Sequence, residues 1–193
     1  MKRFLSVFLA CLILCAVCIT GASAAAPKAF SPNAIQECIF LVDTDGNFGH
    51  CALILADKNG TGRLYSYQTG GLWVSNLTPA QMTQFMKDGL IPDAISNFQF
   101  DHAVRFGVSA EEGRRMYDYA ETHKFREFFM YSSFFTSLIP IGDNCLTFAR
   151  TVMAAGSPKY DFIYPFGLPA FTFYTLQLSL RLNSVPYTLY YPG

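Results

Sequence analysis

Beyond residue 30 the chain runs in short apolar blocks separated by polar, turn-forming clusters. Ile35 to Val42, Cys51 to Ala56 and Leu64 to Gln68 have strand length and strand-like composition. Between them lie Asp43-Thr44-Asp45-Gly46-Asn47 and Asp57-Lys58-Asn59-Gly60-Thr61-Gly62, both dense in residues that tolerate tight turns. Three runs joined by two such turns predict an antiparallel meander. The spacing then becomes helical. Thr78 can cap a helix, Pro79 suits its first position and Gln81 completes a capping box, with Gly89 as the stop. Phe98 to Val108 reads as a further strand, and Ser109-Ala110-Glu111-Glu112 opens a second helix reaching about His123. After Asn144, the segment Cys145 to Ala155 carries Leu146, Ala149, Val152 and Met153 as an apolar stripe at helical spacing. Gly156 is the expected C-cap and Pro158 blocks continuation. A last helix is expected from near Pro169 to about Leu182. There are no repeats or linkers, and the pattern predicts one α+β domain with an antiparallel sheet and packed helices.

The N-terminus departs from this pattern. Lys2-Arg3 precedes an uncharged, largely apolar run from Phe4 to Thr20, and Gly21-Ala22-Ser23-Ala24 has the small-residue character of a signal-peptidase site. Residues 1–24 therefore read as a secretory signal, although the run also approaches the shortest membrane-spanning length. On that reading residues 25–193 form the mature single domain, secreted or held in the cell envelope. This domain keeps 12 basic residues against 14 acidic ones, a balance that excludes a basic nucleic-acid binder. At 51% hydrophobic residues, the chain is also too apolar for a disordered one. Of the six cysteines, Cys11, Cys15 and Cys18 fall in the leader, leaving Cys38, Cys51 and Cys145. Export favours disulfides, and an odd count leaves at least one thiol over. Cys38 and Cys51, on adjacent expected strands, are candidates for a bridge, which would leave Cys145 as the free thiol.

Cys145 is the most informative of the three. It falls in the first turn of a helix, just after an expected Asn144 cap. Backbone N–H groups and the helix dipole at that position favour an anion, which lowers a thiol pKa and yields the nucleophilic thiolate. The same N–H groups can hold an oxyanion. A small buried hydrophobe is the more ordinary fate of a single cysteine. Three histidines could serve as its base. His50 begins an apolar strand after Gly49, where it can meet a helix N-terminus, and a Cys–His pair is the smallest activated-thiol arrangement. His102 lies on a strand beside Asp101 and is a second candidate. His123 falls at a helix C-terminus, where a cation is favourable without any function.

Taken together, Gly49-His50-Cys51-Ala52-Leu53-Ile54 and the later Asn144-Cys145-Leu146-Thr147-Phe148-Ala149 resemble the circularly permuted papain-like superfamily. That superfamily includes the lecithin:retinol acyltransferase-like proteins and the permuted NlpC-type cell-wall amidases. In these the histidine strand precedes the cysteine helix, and the resemblance spans roughly residues 36–156. It implies a permuted papain-like fold with Cys145 as nucleophile and His50 as base. Backbone N–H at Cys145, with Asn144, would hold the oxyanion. A third polar residue on the next strand would orient the histidine. In this chain that strand is Leu64 to Gln68. Either Ser66 and Gln68 or Tyr65 and Tyr67 would share the face of His50, and a one-residue change of register decides between them. Ser66 is preferred over Gln68. The family often has His, Glu, Asp or Asn there, and this strand has none.

The resulting expectation is a thiol-dependent hydrolase of peptide or amide bonds, with cell-wall peptide as a candidate substrate. Lipid acyl transfer through the same Cys–His pair, or a non-catalytic secreted binding module that keeps the fold, are the alternatives. No cofactor is implied, and no metal, because no cluster of His, Cys and Asp has ligand spacing. Asp43, Asp45 and Asn47 mimic the start of a calcium loop, but its twelfth position is Ile54, so a turn is expected. Phe125, Phe128, Phe129, Tyr131, Phe134 and Phe135 form a dense aromatic stretch, read as core or as a wall for substrate, an acyl chain or a membrane surface. Tyr187, Tyr190 and Tyr191 are expected to pack over the sheet.

Overall fold

The computed structural model describes residues 29–44, 49–68, 71–88, 100–123, 144–163 and 169–191. The expected leader (1–24) and the aromatic stretch Phe125–Phe135 lie outside the described residues. The described residues form an α+β arrangement of six antiparallel strands and four α-helices. The strands are β1 (Ile35–Asp43), β2 (His50–Asp57), β3 (Gly62–Gln68), β4 (Gly71–Leu77), β5 (His102–Gly107) and β6 (Tyr187–Tyr190). The helices are α1 (Pro79–Asp88), α2 (Ala110–Thr122), α3 (Cys145–Gly156) and α4 (Pro169–Leu182). The strand order in the sheet is β4-β3-β2-β1-β5-β6.

The three-strand meander is present and gains a fourth strand. Gly71–Leu77 pairs along the whole of β3, from Gly62 opposite Leu77 to Gln68 opposite Gly71. Of the C-terminal tyrosines, Tyr187 and Tyr190 extend the sheet rather than lie over it, Tyr187 to Tyr190 pairing with Phe106 to Ala103 of β5, while the Tyr191 ring meets His102 of β5 (5.3 Å). An edge strand four residues long has too few positions for its period to stand out in sequence.

Strand periodicity divides the core into two layers. Cys38, Phe40, Val42, Cys51, Leu53, Leu55, Tyr65, Tyr67, Val104 and Phe106 pack with residues of α2, α3 and α4. Ile39, Leu41, Ala52, Ile54, Ala56, Leu64 and Ala103 form the opposite layer with Met82 and Phe85 of α1 and with Phe100. Strands β1 and β2 are therefore apolar on both faces, which is why their runs look continuous rather than alternating.

The capping signals act as expected. Gln81 N–H donates to Thr78 Oγ1 (3.2 Å) and Thr78 N–H to Gln81 Oε1 (2.9 Å) at the start of α1. Glu112 N–H donates to Ser109 Oγ (3.2 Å) and Ser109 N–H to Glu112 Oε2 (2.9 Å) at the start of α2. Gly156 behaves differently from its expected role. It is the last residue of α3, and Ser157 is the cap. A Cβ at Gly156 would stand 2.4 Å from Met116 Cε and 3.2 Å from the Glu112 carbonyl oxygen. The glycine is there because α2 and α3 approach closely, and its own carbonyl accepts from Arg115 Nε (3.0 Å) and Nη2 (2.5 Å).

Candidate active site

His50 is the first residue of β2, and the chain enters it through Gly49 at φ 64°. A side chain at position 49 would be strained in that left-handed conformation, so the Gly-His pair has a backbone reason. The turn after β2 then sets which residues of β3 meet the histidine. Asp57 Oδ1 accepts the Asn59 (2.8 Å) and Thr61 (3.2 Å) N–H groups, and its Oδ2 accepts Ser31 N–H (2.9 Å). Although burial works against ionisation, these bonds hold the Asp57 carboxyl below its ordinary value. Leaving this turn, β3 pairs with β2 so that Leu64 opposes Ile54 and Tyr65 opposes Leu53. Alternation then places Ser66 on the face of Leu64, Ile54 and His50, and Tyr65 and Tyr67 on the other. The buried Ser66 Oγ lies 2.9 Å from His50 Nε2. Gln68 ends β3, and its side chain lies outside the described residues.

Cys145 arrives on α3. Asn144 has extended backbone geometry, and its Oδ1 accepts the Leu146 and Thr147 N–H groups, each at 2.9 Å. Thr147 Oγ1 in turn accepts the Asn144 N–H at 2.8 Å, closing a capping box. Cys145 is then the first helical residue, whose N–H has no acceptor within the helix. Phe148, one turn later, stacks on Tyr67 at 5.2 Å and lies against Tyr65 at 6.3 Å, which seats the helix start on β3. The half-buried Cys145 packs on the helix-side core containing Cys51. Its sulfur interacts with the Cys51 thiol, the Cys51 backbone N–H and the His50 imidazole. Hydrogen bonding from Cys51, and then the bond and positive charge of His50, hold the Cys145 thiol well below its usual value against the opposing effect of burial. Cys51 moves the other way, raised by burial and by the neighbouring Cys145 sulfur.

The structure thus brings Cys145, His50, Ser66 and Asn144 to one place, with roles constrained by geometry. His50 Nε2 faces Ser66, and the imidazole also bears on the Cys145 thiol. The Asn144 backbone N–H is committed to Thr147, so any oxyanion contact from Asn144 would come from its side-chain amide nitrogen. The cap fixes that group by its oxygen. At the first helical position the Cys145 N–H has no acceptor within the helix, which suits an oxyanion donor.

Other candidates fall elsewhere. Cys38 and Cys51 are not bridged. Cys38 opposes Leu55 while Cys51 opposes Val42, and all three cysteines of the described residues are free. Four strand positions amount to roughly 13 Å, well beyond disulfide reach. Cys51 is instead the thiol beside Cys145, a neighbour that strand adjacency alone could not assign. His102 Nδ1 lies 3.0 Å from Asp101 Oδ1 but off the line of an N–H bond. Its ring meets Phe173 (4.8 Å) and Tyr191 (5.3 Å), so His102 belongs to the contact between β5 and α4. His123 ends α2, with Nδ1 2.8 Å from the Tyr119 carbonyl oxygen and its ring stacked on Tyr119. In the calcium-loop mimic, Asp43 is the buried last residue of β1 and residues 45–48 lie outside the described residues. Among the described residues no cluster of His, Cys, Asp and Glu could hold a metal, and no helix is long and apolar enough to cross a membrane.

Comparison with family models, curated proteins and solved structures returned no match to this chain.

Proposed function

We propose that this chain is a secreted or cell-envelope cysteine hydrolase of the permuted papain-like kind, cutting peptide or amide bonds by acyl transfer to water. The carrying observation is a thiol at the first position of a capped helix, in contact with an imidazole whose Nε2 is fixed 2.9 Å from Ser66. The order also suits the permuted arrangement, with the histidine strand preceding the cysteine helix.

In the proposed reaction the Cys145 proton passes to His50, and the thiolate attacks the carbonyl carbon to form the C–S bond. The oxyanion is met by the Cys145 N–H and the Asn144 side-chain amide. Collapse breaks the C–N bond, with His50 returning the proton to the leaving amine and leaving a thioester on Cys145. Water, deprotonated by His50, then releases the acid and restores the thiol. Ser66 keeps the imidazole oriented throughout. The proposed substrate is a cell-wall peptide, and no cofactor takes part.

The test is alkylation of the protein with iodoacetamide across pH, with the modified cysteine mapped. Cys145 should react well below pH 8, and His50→Ala should remove that reactivity by about a hundredfold at pH 6.5. An ordinary thiol profile at Cys145 overturns the reading. Incubation with cell-wall peptides and with phospholipid vesicles, using Cys145→Ala as control, separates amide hydrolysis from lipid acyl transfer. Thiol-dependent turnover of neither, despite a reactive Cys145, leaves the binding module in its place.

A further inference from the structure

In the β1–β2 ladder the residue directly opposite His50 is Asp43. Opposed residues of an antiparallel pair share a face, with Cβ atoms about 4.5–5.5 Å apart. Here it is the face of Leu41 and Ala52, and Asp43 and His50 are only 6% and 5% exposed. The end of β1 is held firmly. Asp101 N–H donates to the Val42 carbonyl (3.1 Å), Thr44 N–H donates to Asp101 Oδ1 (3.0 Å), and the Thr44 hydroxyl bonds the other Asp101 oxygen. Asp101 is thereby occupied with Thr44, while Asp43 is the residue the ladder sets opposite His50.

Several groups meet His50. Ser66 comes from β3, Cys145 from α3, Cys51 follows on β2 itself, and the Phe100 ring lies at 5.9 Å. Ser66 can orient the imidazole but adds no charge. The two thiols can contribute only a negative charge that is created when one of them loses its proton. Asp43, opposite His50 in the ladder, is a carboxylate, and at such burial its charge gains greatly from a nearby cation.

We infer that Asp43 is a positioning residue for His50, a carboxylate supplied from the strand before the histidine rather than from the strand after it. The reaction begins with proton transfer from the Cys145 sulfur to a ring nitrogen of His50. Asp43 keeps its charge throughout and stabilises the resulting imidazolium. This role in activating the thiol rests on the reading proposed above; the coupling between Asp43 and His50 does not.

The closing experiment separates the two. In a Cys145→Ala background, the His50 imidazole is titrated by NMR with and without Asp43→Asn. Removal of the carboxylate should lower the His50 midpoint by about one pH unit, and Asp43→Glu should restore most of it. Coincident midpoints for the parent and Asp43→Asn overturn the inference. The reciprocal measurement leaves Asp43 in place and covers the case in which Asp43→Asn does not fold. The Asp43 carboxyl, followed by carbon NMR in the full chain, should titrate at higher pH in His50→Gln than in the unaltered protein. An unmoved carboxyl also overturns the inference. With Cys145 present, the alkylation profile of Asp43→Asn should move up by about one pH unit, roughly a tenfold loss at pH 6. A shifted His50 midpoint beside an ordinary Cys145 profile would count against the hydrolase reading and for the coupling.

Discussion

Helices α2 and α3 begin in nearly the same way and end up with different chemistry. Each opens on a capping box, Ser109 with Glu112 and Asn144 with Thr147. Each start offers N–H groups and the positive end of a helix dipole. At α2 the first residue is Ala110, and Glu112 is tied to Lys159 Nζ (2.7 Å) and Tyr160 Oη (2.9 Å), so the cap joins the helix to a neighbouring turn. At α3 the first residue is Cys145, and what faces it is the start of β2 with His50 and Cys51. A capped helix start supplies a favourable place for an anion. The site arises where a sulfur occupies that place and an imidazole lies across from it.

The sharpest way to break this comparison is to remove the two caps separately. Asn144→Ala should cost about 1 kcal/mol of stability and slow Cys145 alkylation at pH 6.5 by about tenfold or more, since both helix start and thiol lose their fixed geometry. Ser109→Ala should also cost about 1 kcal/mol in denaturant unfolding while leaving the Cys145 alkylation profile in place. Equal loss of reactivity in the two variants would mean that the α3 start has no special relation to its thiol.

Ser66→Ala probes the surroundings instead of the cap. It should slow alkylation at pH 6.5 by several-fold, roughly three to ten, and lower the melting temperature by about 2–4 °C, because a neutral hydroxyl orients the ring without adding charge and its removal deletes a buried hydrogen bond. A profile superimposed on that of the unaltered protein would remove Ser66 from the site.

The smallest expected effect lies at α2. Partial burial raises the Glu112 carboxyl, but the Lys159 ion pair and hydrogen bonds from Ser109 and Tyr160 prevail and hold it at about 2, below an ordinary 4.5. A carboxyl depressed on folding adds stability that is complete above its unfolded value and lost as pH falls through its folded value. Glu112→Gln should therefore melt about 1–3 °C lower at pH 7, a difference that shrinks below pH 4.5 and disappears near pH 2. A difference that stays constant across that range would show that packing, and not charge, is what Glu112 contributes.

Much of this molecule was legible in its sequence wherever the signal is local. Capping boxes are read within four residues, so all three expected N-terminal caps are present, and Asn144 belongs to the helix that carries Cys145. Turn chemistry at Asp57–Gly62 likewise located the β2–β3 hairpin. The edge strands were harder to see. β4 and β6 have few buried positions, and β6 has only four residues. Gly156 looked like a cap because the sequence does not show Met116 lying against it.

What remained open was register and adjacency. The hairpin could have put Tyr65 and Tyr67 beside His50; the Asp57 bonds and the Leu53–Tyr65 pairing put Ser66 there. Cys51 could have met Cys38; four positions of strand separate them, and α3 brings Cys145 instead. Asp43 read as part of a turn until the ladder set it opposite His50. The sequence by itself determined the parts: a capped helix start with a thiol, a histidine entering a strand after a glycine, and an apolar sheet to hold them. Only the tertiary structure decided which parts meet, because a strand repeats every two residues and a single step of register exchanges its faces. Contacts between α3 and β2 depend on packing between segments almost a hundred residues apart, which no local pattern encodes.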